Sequence, residues 1–533
     1  MISIPVRNNR KSVLVKRLVQ WISRFWEDRR GNVAMIFALS LLPVTVMSGG
    51  AVDLSQAMNA RTRLSQALDA AALAVGTNPT INDEQALGIA NDFIRANYPG
   101  RELGTVQNVS VTIDDATDTV TVKGEAKVET IILGLIGIDY ITVDWESEVQ
   151  RARSRLELVM VLDNTGSMGG SKIRDLRDAA ELLVDIVYES VEEVGDVRVG
   201  LVPFAATVNV GTNYARQWWL DPDARSPQHA DWAGPGPFEY EECTGRRRNR
   251  RCTTTTVEAN HWELFDMMRD TSWGGCVEAR AIPMDIDDTA PNNARPETLF
   301  VPYFAPDEPG NDRDYRNNYL SDGVSGSNNE RRLRNLIKYD NARIQDDYGP
   351  NMRCTTRPIT PLTTSTATLY ADIAAMGASG TTNIPQGVGW GIRVISPGEP
   401  FTQGVPWDDR EVVKAMVILT DGENVMSGRS TYLRSDYGAY GFSRYGRLGT
   451  TSSSSSTLRN RLNDRLEAAC NEAKSLGIRV YTITFQVNSS STRQLMEQCA
   501  SNPSLYFNSP SGAALRDAFE LIAGDLTNLR LSR

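Results

Sequence analysis

The hydrophobic and polar positions along the chain divide it into three parts. Residues 31–52 are mostly apolar and carry no charge. Apolar residues then recur at helical spacing and afterwards alternate with polar ones, which predicts a small α+β unit over residues 53–154. From residue 155, fully apolar runs alternate with amphipathic ones, the pattern of parallel strands covered by helices. We therefore predict an α/β unit over residues 155–530, with a central, mostly parallel sheet and helices on both faces.

The charge-free stretch has the length of a membrane helix. Its 22 residues span roughly 33 Å as a helix, enough to cross a bilayer. We predict a transmembrane helix over residues 32–52, and no breaker after Gly50 prevents it from continuing to about residue 75. A cleaved signal peptide is the alternative, but the apolar region is longer than the usual signal core and begins late in the chain.

The charges before this helix predict its orientation. Residues 1–31 contain eight Lys or Arg residues against two acidic ones, a balance of +6. By the positive-inside rule this basic arm lies in the cytoplasm, and everything after Asp53 is exported. The helix beyond Asp53 has an alanine-rich face, which packs either on its own domain or on a partner.

Further elements follow from the same periodicity. In the small unit we expect a helix near residues 84–97 and strands at residues 109–113, 119–123 and 140–149, the first two as a hairpin. In the larger unit we expect strands at residues 156–162, 197–204, 411–419 and 478–485, helices at residues 172–194, 366–376, 457–476 and 513–526, and one helix ending at residue 394. Residues 211–360 lack such regularity, and a structureless loop of this length is rare, so they predict an inserted, disulfide-stapled subdomain. The Gly-, Tyr- and Ser-rich residues 423–456 predict a flexible loop.

Composition narrows the function. The net charge of −10 includes the +6 of the arm, so the remaining residues carry −16, and an acidic body argues against nucleic-acid binding. The six cysteines all follow the membrane segment, where an oxidising compartment favours disulfides. Cys470 with Cys499 and Cys243 with Cys252 are the most local pairings, although their number leaves the connectivity open.

Three polar segments stand where an apolar strand ends or a helix begins. They are Leu162-Asp163-x-Thr165-x-Ser167, Gly380-x-Thr382-Asn and Leu419-Thr-Asp421-Gly. In doubly wound sheets, the loops at the carboxyl ends of the strands converge where ligands bind. Together the segments offer two carboxylates and three hydroxyls, an oxygen set that suits Mg²⁺ or Mn²⁺ better than Zn²⁺. The alternative is that Asp163 and Asp421 only cap helices.

The charge of such a site favours binding over catalysis. Two aspartates balance the charge of a divalent ion, so the site as a whole is near neutral. If the direct ligands are the neutral hydroxyls, however, the ion itself stays electrophilic. An open position on the ion would then attract an anionic oxygen from outside, such as an Asp or Glu carboxylate of a partner protein.

The order of the three segments resembles the metal-ion-dependent adhesion site (MIDAS) of von Willebrand factor type A (vWA) domains. The resemblance covers roughly residues 155–210 and 360–528, and it implies a Rossmann-like fold holding Mg²⁺, or else Mn²⁺ or Ca²⁺. The metal ligands that it implies are Thr165 and Ser167 directly, Thr382 directly or nearly so, and Asp163 and Asp421 through water. Thr165 stands where the family most often has serine, and it keeps the hydroxyl.

The membrane-proximal residues carry a second resemblance. The segments Arg30-Gly-Asn-Val-Ala-Met-Ile, Gly50-Ala-Val-Asp53-Leu and Leu64-x-x-Ala-Leu-Asp69 look like the TadE/TadG-like segment of tight-adherence (Flp) pilus assembly proteins. The whole architecture, with a type A domain that carries an insertion, resembles TadG-like proteins. This resemblance implies a single-pass protein of a bacterial inner membrane, with a cytoplasmic N-terminus and with pilus or pilus-assembly components as partners.

Three functions compete. The first, which we expect, is non-enzymatic: a membrane-anchored pilus assembly or adhesion protein that binds a partner carboxylate through a metal. The second is a structural anchor without metal-dependent binding. The third is an exported metal-dependent hydrolase, against which neither histidine lies near a site segment and no G-x-S-x-G elbow occurs. Asp175 and Glu423 are the nearest candidates for its general base, and Glu423 is expected to be solvated or to cap a helix. The oligomeric state stays open.

Overall fold

We describe a computed structural model of the chain, which covers residues 31–77, 83–98, 103–114, 119–150, 155–189, 196–244, 251–310, 315–324, 326–344 and 348–531. The basic arm before residue 31 and most of the arginine run near residue 248 lie outside these described residues. The chain divides near residue 152 into two compact units.

The smaller unit is built on one long helix, α1 (Gly31–Gly76). Among the described residues, α1 is the helix that is long and apolar enough to cross a membrane. Beyond Asp53 one face of α1 is buried, including Ala57, Leu64 and Leu68. This face is covered by helix α2 (Asp83–Asn97) and by an antiparallel sheet of β1 (Thr105–Asp114), β2 (Thr119–Glu129) and β3 (Tyr140–Gln150). The alanine-rich face therefore packs within its own unit.

The larger unit contains a sheet whose described strands follow the order β13-β12-β11-β4-β5-β6-β9, with β10 paired to β5. These strands are β4 (Arg155–Asp163), β5 (Val197–Phe204), β6 (Val208–Asn209), β9 (Cys276–Val277), β10 (Thr360–Thr363), β11 (Val412–Thr420), β12 (Arg479–Phe485) and β13 (Tyr506–Ser509). A separate hairpin contains β7 (Phe238–Thr244) and β8 (Arg251–Val257). Strands β4, β5, β11, β12 and β13 are parallel to one another, and β6, β9 and β10 pair antiparallel. The prediction of an α/β unit with a parallel sheet is confirmed.

Helices cover both faces of this sheet, which is why its central strands are buried and mostly apolar. The helices are α3 (Ser171–Glu189), α4 (His261–Met267), α5 (Asn329–Leu333), α6 (Thr366–Ala374), α7 (Ile384–Ile395), α8 (Ser455–Ser475), α9 (Ser490–Cys499) and α10 (Gly512–Leu531). Leu158 and Met160 of β4 pack with α3, α6 and α10, whereas Val159 and Val161 pack with α7, α8 and α9. Helix α7 lies so close to the sheet that a Cβ at Gly387 would be 2.7 Å from the Phe204 ring.

The insertion, residues 211–360, shares its core with the α/β unit. The Phe300 ring lies 4.9 Å from that of Trp390 on α7 and 5.8 Å from that of Trp219. A disulfide joins Cys276, on strand β9 of the main sheet, to Cys354 near the end of the insertion.

The structure describes the two most local cysteine pairings at different levels of detail. Cys470 and Cys499, one of the two most local options, form a disulfide that links α8 to α9. Cys243 and Cys252 are direct cross-strand neighbours in the β7–β8 hairpin.

Residues 423–456, expected to form a flexible loop, are packed instead. Tyr437, Tyr440 and Phe442 are at most 4% exposed, and the Tyr440 hydroxyl donates a hydrogen bond to Asp285 Oδ2 at 2.7 Å. Helix α8 begins at Ser455, so the end of the serine tract is helical. Glycine and serine set the composition of this segment, whereas its interspersed aromatic residues supply buried apolar surface.

Candidate functional site

The carboxyl ends of two adjacent strands lie side by side. Strand β4 ends at Asp163 and β11 ends at Thr420, and Leu162 is the register partner of Leu419. Because these strands are parallel, their loops leave the sheet at the same edge. Both strands are buried almost throughout, so the polar residues that follow them stand on rigid supports.

Asp163 is fully buried between the two strand ends. Its Oδ1 accepts a hydrogen bond from the Thr165 N–H at 2.9 Å, and its Oδ2 accepts one from the Thr420 hydroxyl at 2.7 Å. Burial raises the pKa of Asp163 to about 6, and the negative charge of Asp421 adds to this rise. Ionised Asp163 would therefore be stabilised by a nearby cation.

Two hydroxyls connect the Asp163 loop to Asp421. The Thr165 and Ser167 hydroxyl oxygens are 3.0 Å apart, and the Ser167 hydroxyl donates to Asp421 Oδ1 at 2.6 Å. Ser167 and Asp421 are 254 positions apart in the sequence. Their contact therefore depends on the pairing of β4 with β11 and not on any local turn.

The third segment joins this set through its backbone. The Gly166 N–H donates to the Gly380 carbonyl at 3.0 Å, and the Val425 N–H donates to the Thr382 carbonyl at 2.8 Å. Gly380 has a φ of +88°, a conformation that favours glycine. Thr382 is 4% exposed. The fold thus links Asp163, Thr165, Ser167 and Asp421 by side-chain contacts, and it holds the Thr382 loop against theirs by main-chain bonds.

A lysine that the sequence reasoning missed reaches into the site. Lys172, the second residue of α3, places its Nζ 2.6 Å from Asp421 Oδ2; the Asp421 side chain is fully buried, and that of Lys172 is 22% exposed. A signal for it was present, because a basic residue in the first turn opposes the positive end of the helix dipole unless a carboxylate compensates it. The Thr420 hydroxyl was also missed, since its role depends on the register of two strands.

The oxygen donors fit a hard divalent cation. Two carboxylates and hydroxyls are the ligand types that Mg²⁺ takes, and no soft ligand is among them. With Asp163 and Asp421 ionised and Lys172 charged, the side chains carry a net charge of −1, so the site attracts cations. Asp163, Thr165, Ser167, Thr382 and Asp421 are the residues that would hold such an ion, and it would supply an electrophilic centre for an anionic oxygen.

Helix capping and general-base catalysis, the alternative roles for the carboxylates of this region, explain fewer of the observed contacts. Asp163 does bind the N–H of Thr165, which precedes a short 3-10 helix, but Asp421 contacts two side chains from other segments. Glu423, expected to be solvated or to cap a helix, forms an ion pair with Arg459. Asp175 lies against Gly512 at the start of α10. Neither proposed general base is therefore directed by these contacts to the strand ends.

A family model described as "Putative Flp pilus-assembly TadE/G-like" matches residues 31–78. No curated protein is detectably similar in sequence.

Several solved structures resemble the chain distantly. The pilus adhesin SpaC from Lactobacillus rhamnosus GG is 12% identical at a TM-score of 0.31, over 79% of this chain and 34% of that one, so this chain spans about a third of SpaC. The vWF domain of the type V pili tip protein Mfa5 from Porphyromonas gingivalis is 11% identical at 0.31, over 72% and 97% of the two chains. The PilB minor pilin from Streptococcus sanguinis is 12% identical at 0.31, over 80% and 81%. Similarities at this level do not assign a function.

Proposed function

We propose that this chain is a membrane-anchored, non-enzymatic protein of Flp (Tad) pilus assembly or adhesion. In this proposal α1 crosses the bacterial inner membrane once, the basic arm lies in the cytoplasm, and the α/β unit is a Rossmann-like vWA domain outside. The match of residues 31–78 to TadE/G-like proteins supports the anchor and the pilus context. The partner is a pilus or pilus-assembly protein.

The α/β unit binds this partner through a divalent cation, Mg²⁺ or alternatively Mn²⁺ or Ca²⁺, in a MIDAS-type site. The observation that carries the proposal is the contact of Ser167 with Asp421, which brings the hydroxyls of one strand-end loop onto the carboxylate of another. Thr165 and Ser167 hold the ion directly, and Thr382 does so directly or nearly so. Asp163 and Asp421 act through water, so a partner carboxylate completes the charge balance.

One observation favours the second candidate, a structural anchor without metal-dependent binding. The Lys172 ammonium already neutralises Asp421, so the buried carboxylate has a counter-ion without any metal. A hydrolase has less support, because Glu423 is paired with Arg459 and Asp175 is adjacent to α10.

Thermal unfolding of the full chain in nanodiscs, with and without millimolar Mg²⁺, tests the metal site. We expect Mg²⁺ to raise the melting temperature of the wild type and not that of Asp163→Asn. Asp464→Asn is the matched control, since Asp464 is an exposed carboxylate of the same unit that pairs with Arg461, three residues before it on α8. An equal shift in all three proteins, or none in the wild type, contradicts the metal site.

The same variants in cells separate binding from anchoring. If the metal site is used, Asp163→Asn cells present the protein at the normal level but lose adherence, and chelator reproduces this loss in the wild type. Normal piliation and adherence in these cells would favour the structural anchor.

A further inference from the structure

The loop between β2 and β3 exposes an unusual amount of apolar surface. Residues 130–138 carry no charge and read Thr-Ile-Ile-Leu-Gly-Leu-Ile-Gly-Ile. The exposed fractions are 65% for Ile131, 80% for Leu135, 52% for Ile136 and 45% for Ile138. An exposed apolar cluster of this kind on a soluble protein would promote aggregation, so it indicates a surface that contacts a membrane or a partner.

The loop is fastened to α1 by one buried carboxylate. Asp53, which is 1% exposed, accepts hydrogen bonds from the N–H groups of Ile131, Ile132 and Leu133 at 3.0, 2.9 and 2.8 Å. Three N–H bonds to a carboxylate hold the start of the loop in one orientation and satisfy a charge that burial would otherwise penalise.

The loop packs against two glycines of α1. A Cβ at Gly49 would collide with the Ile132 side chain, and one at Gly50 would lie 3.2 Å from Leu133 Cδ2. Glycine is costly inside a helix, and here the missing side chains let the loop lie directly on the helix. The contacts at Gly49, Gly50 and Asp53 place the loop along α1 where the charge-free stretch ends.

Several backbone groups of the loop are also paired within it. Main-chain bonds run from Thr130 N to Asp139 O at 3.1 Å, from Leu135 N to Ile132 O at 3.1 Å and from Ile138 N to Leu133 O at 3.1 Å. Backbone groups satisfied in this way are a requirement for chain that enters a nonpolar medium.

We infer that residues 131–138 form a second membrane contact, which inserts its isoleucine and leucine side chains into the outer headgroup and acyl boundary beside α1. The inference rests on the proposed crossing of the membrane by α1, and not on the metal site. Lipid is the expected surrounding because the loop packs on α1 at Gly49, Gly50 and Asp53, next to the membrane part of the helix, where Val44 and Met47 are 56% and 71% exposed. Tyr140, 51% exposed directly after the loop, is the residue type that bilayers place at this depth.

This second contact restricts the rotation and depth of α1 in the membrane. A single helix is free to tilt and rotate in a bilayer, whereas a helix with a lateral apolar loop at one interface has a preferred rotation and depth. The loop thus sets how the small unit stands on the membrane, and Asp53 and Gly49 act as positioning residues for it.

Fluorescence of the full chain in lipid vesicles tests the inference. A single cysteine is placed at Leu135, Leu39 or Phe93 and labelled with an environment-sensitive dye, since the described native cysteines are not free. Leu39 is 74% exposed on the membrane part of α1 and Phe93 is 43% exposed on α2, so they serve as deep and aqueous references. We expect the label at 135 to lose emission to lipids with a nitroxide near the headgroup, the label at 39 to lipids with a deep nitroxide, and the label at 93 only to aqueous iodide.

Each other outcome overturns the inference in its own way. Iodide quenching at 135 equal to that at 93 means that the loop stays in water. Protection from both iodide and nitroxide lipids means that protein covers it, either a partner or a second copy. Failure of the label at 39 to respond to deep nitroxide removes the crossing itself. As a matched variant, Asp53→Asn carrying the label at 135 should show reduced lipid quenching, while the label at 39 is unaffected.

Discussion

Lys172→Met tests whether the lysine competes with a metal for the same carboxylate. Its ammonium is 2.6 Å from Asp421 Oδ2, where it supplies the positive charge that a divalent ion would otherwise supply. Methionine keeps most of the apolar stem of lysine and removes the ammonium group, with its charge and its hydrogen bond to Asp421. We expect the variant to bind Mg²⁺ more tightly than the wild type.

The magnitude follows from the charge and its screening. A unit charge about 6 Å from a divalent ion changes the binding energy by about 1.4 kcal/mol at the dielectric constant of water, which is about tenfold in affinity. A less polar site would give a larger effect. Because the Lys172 side chain is 22% exposed and can turn toward solvent, we take the lower figure. Without Mg²⁺, the variant should unfold at a lower temperature, since Asp421 is then buried without its counter-ion.

Isothermal titration of the full chain in nanodiscs with Mg²⁺ measures this change. Lys474→Met is the control, because Lys474 lies in the last turn of α8 and donates to the Gln498 carbonyl at 2.9 Å, away from the strand ends. Unchanged or weaker Mg²⁺ binding in Lys172→Met would refute the competition. Absence of binding in both proteins and in the wild type would instead refute the metal site.

Three further outcomes are expected. Burial raises the pKa of Asp163 from 3.8 to about 6, so without Mg²⁺ this residue should favour the folded state most at low pH and lose that effect as pH rises through about 6. The rise in melting temperature that Mg²⁺ causes should shrink between about pH 7.5 and pH 5, because protonated Asp163 no longer attracts the ion. A rise that does not depend on pH would exclude Asp163 from the metal site. Replacing Cys470 and Cys499 by serine should lower the free energy of unfolding by about 3–4 kcal/mol, because the bridge closes a long loop; denaturant titration measures this, and an unchanged midpoint contradicts it. Gly387→Ala should cost about 1–3 kcal/mol through overpacking, whereas Gly524→Ala, with open space around its Cβ, should be neutral or stabilising in the same titration.

The central strands were predictable because both of their faces are buried. Nine consecutive residues of β11 are buried, seven of them apolar, and a mostly apolar run of this length is typical of a parallel strand that helices cover on both faces. Helix α9 and strand β13 were not predicted. Residues 490–499 are mostly polar, with Ser489 as N-cap of the helix, and β13 has four residues at the edge of the sheet. Elements this short or this polar take their structure from neighbours more than from their own pattern.

The residues of the candidate site were also predictable only in part. Asp163, Ser167 and Asp421 could be proposed from sequence because each follows or closely follows an apolar run, and strand ends of a parallel sheet converge. The partners of their atoms could not be proposed in the same way. The bond from Thr420 to Asp163 requires the register of β4 against β11, and the ion pair of Lys172 requires the direction in which α3 leaves its loop.

Lys172 also changes what the site predicts about partner binding. Two buried carboxylates without a counter-ion would repel each other, and the fold would depend on a metal for its stability. With an ammonium on Asp421, the site is electrostatically tolerable without metal, so a divalent ion gains less by binding alone. A partner carboxylate then contributes a larger share of the total, because its attraction to the ion does not depend on the lysine. Metal and partner should therefore bind with positive coupling, each raising the affinity of the other, and Lys172→Met should strengthen the binding of Mg²⁺ alone.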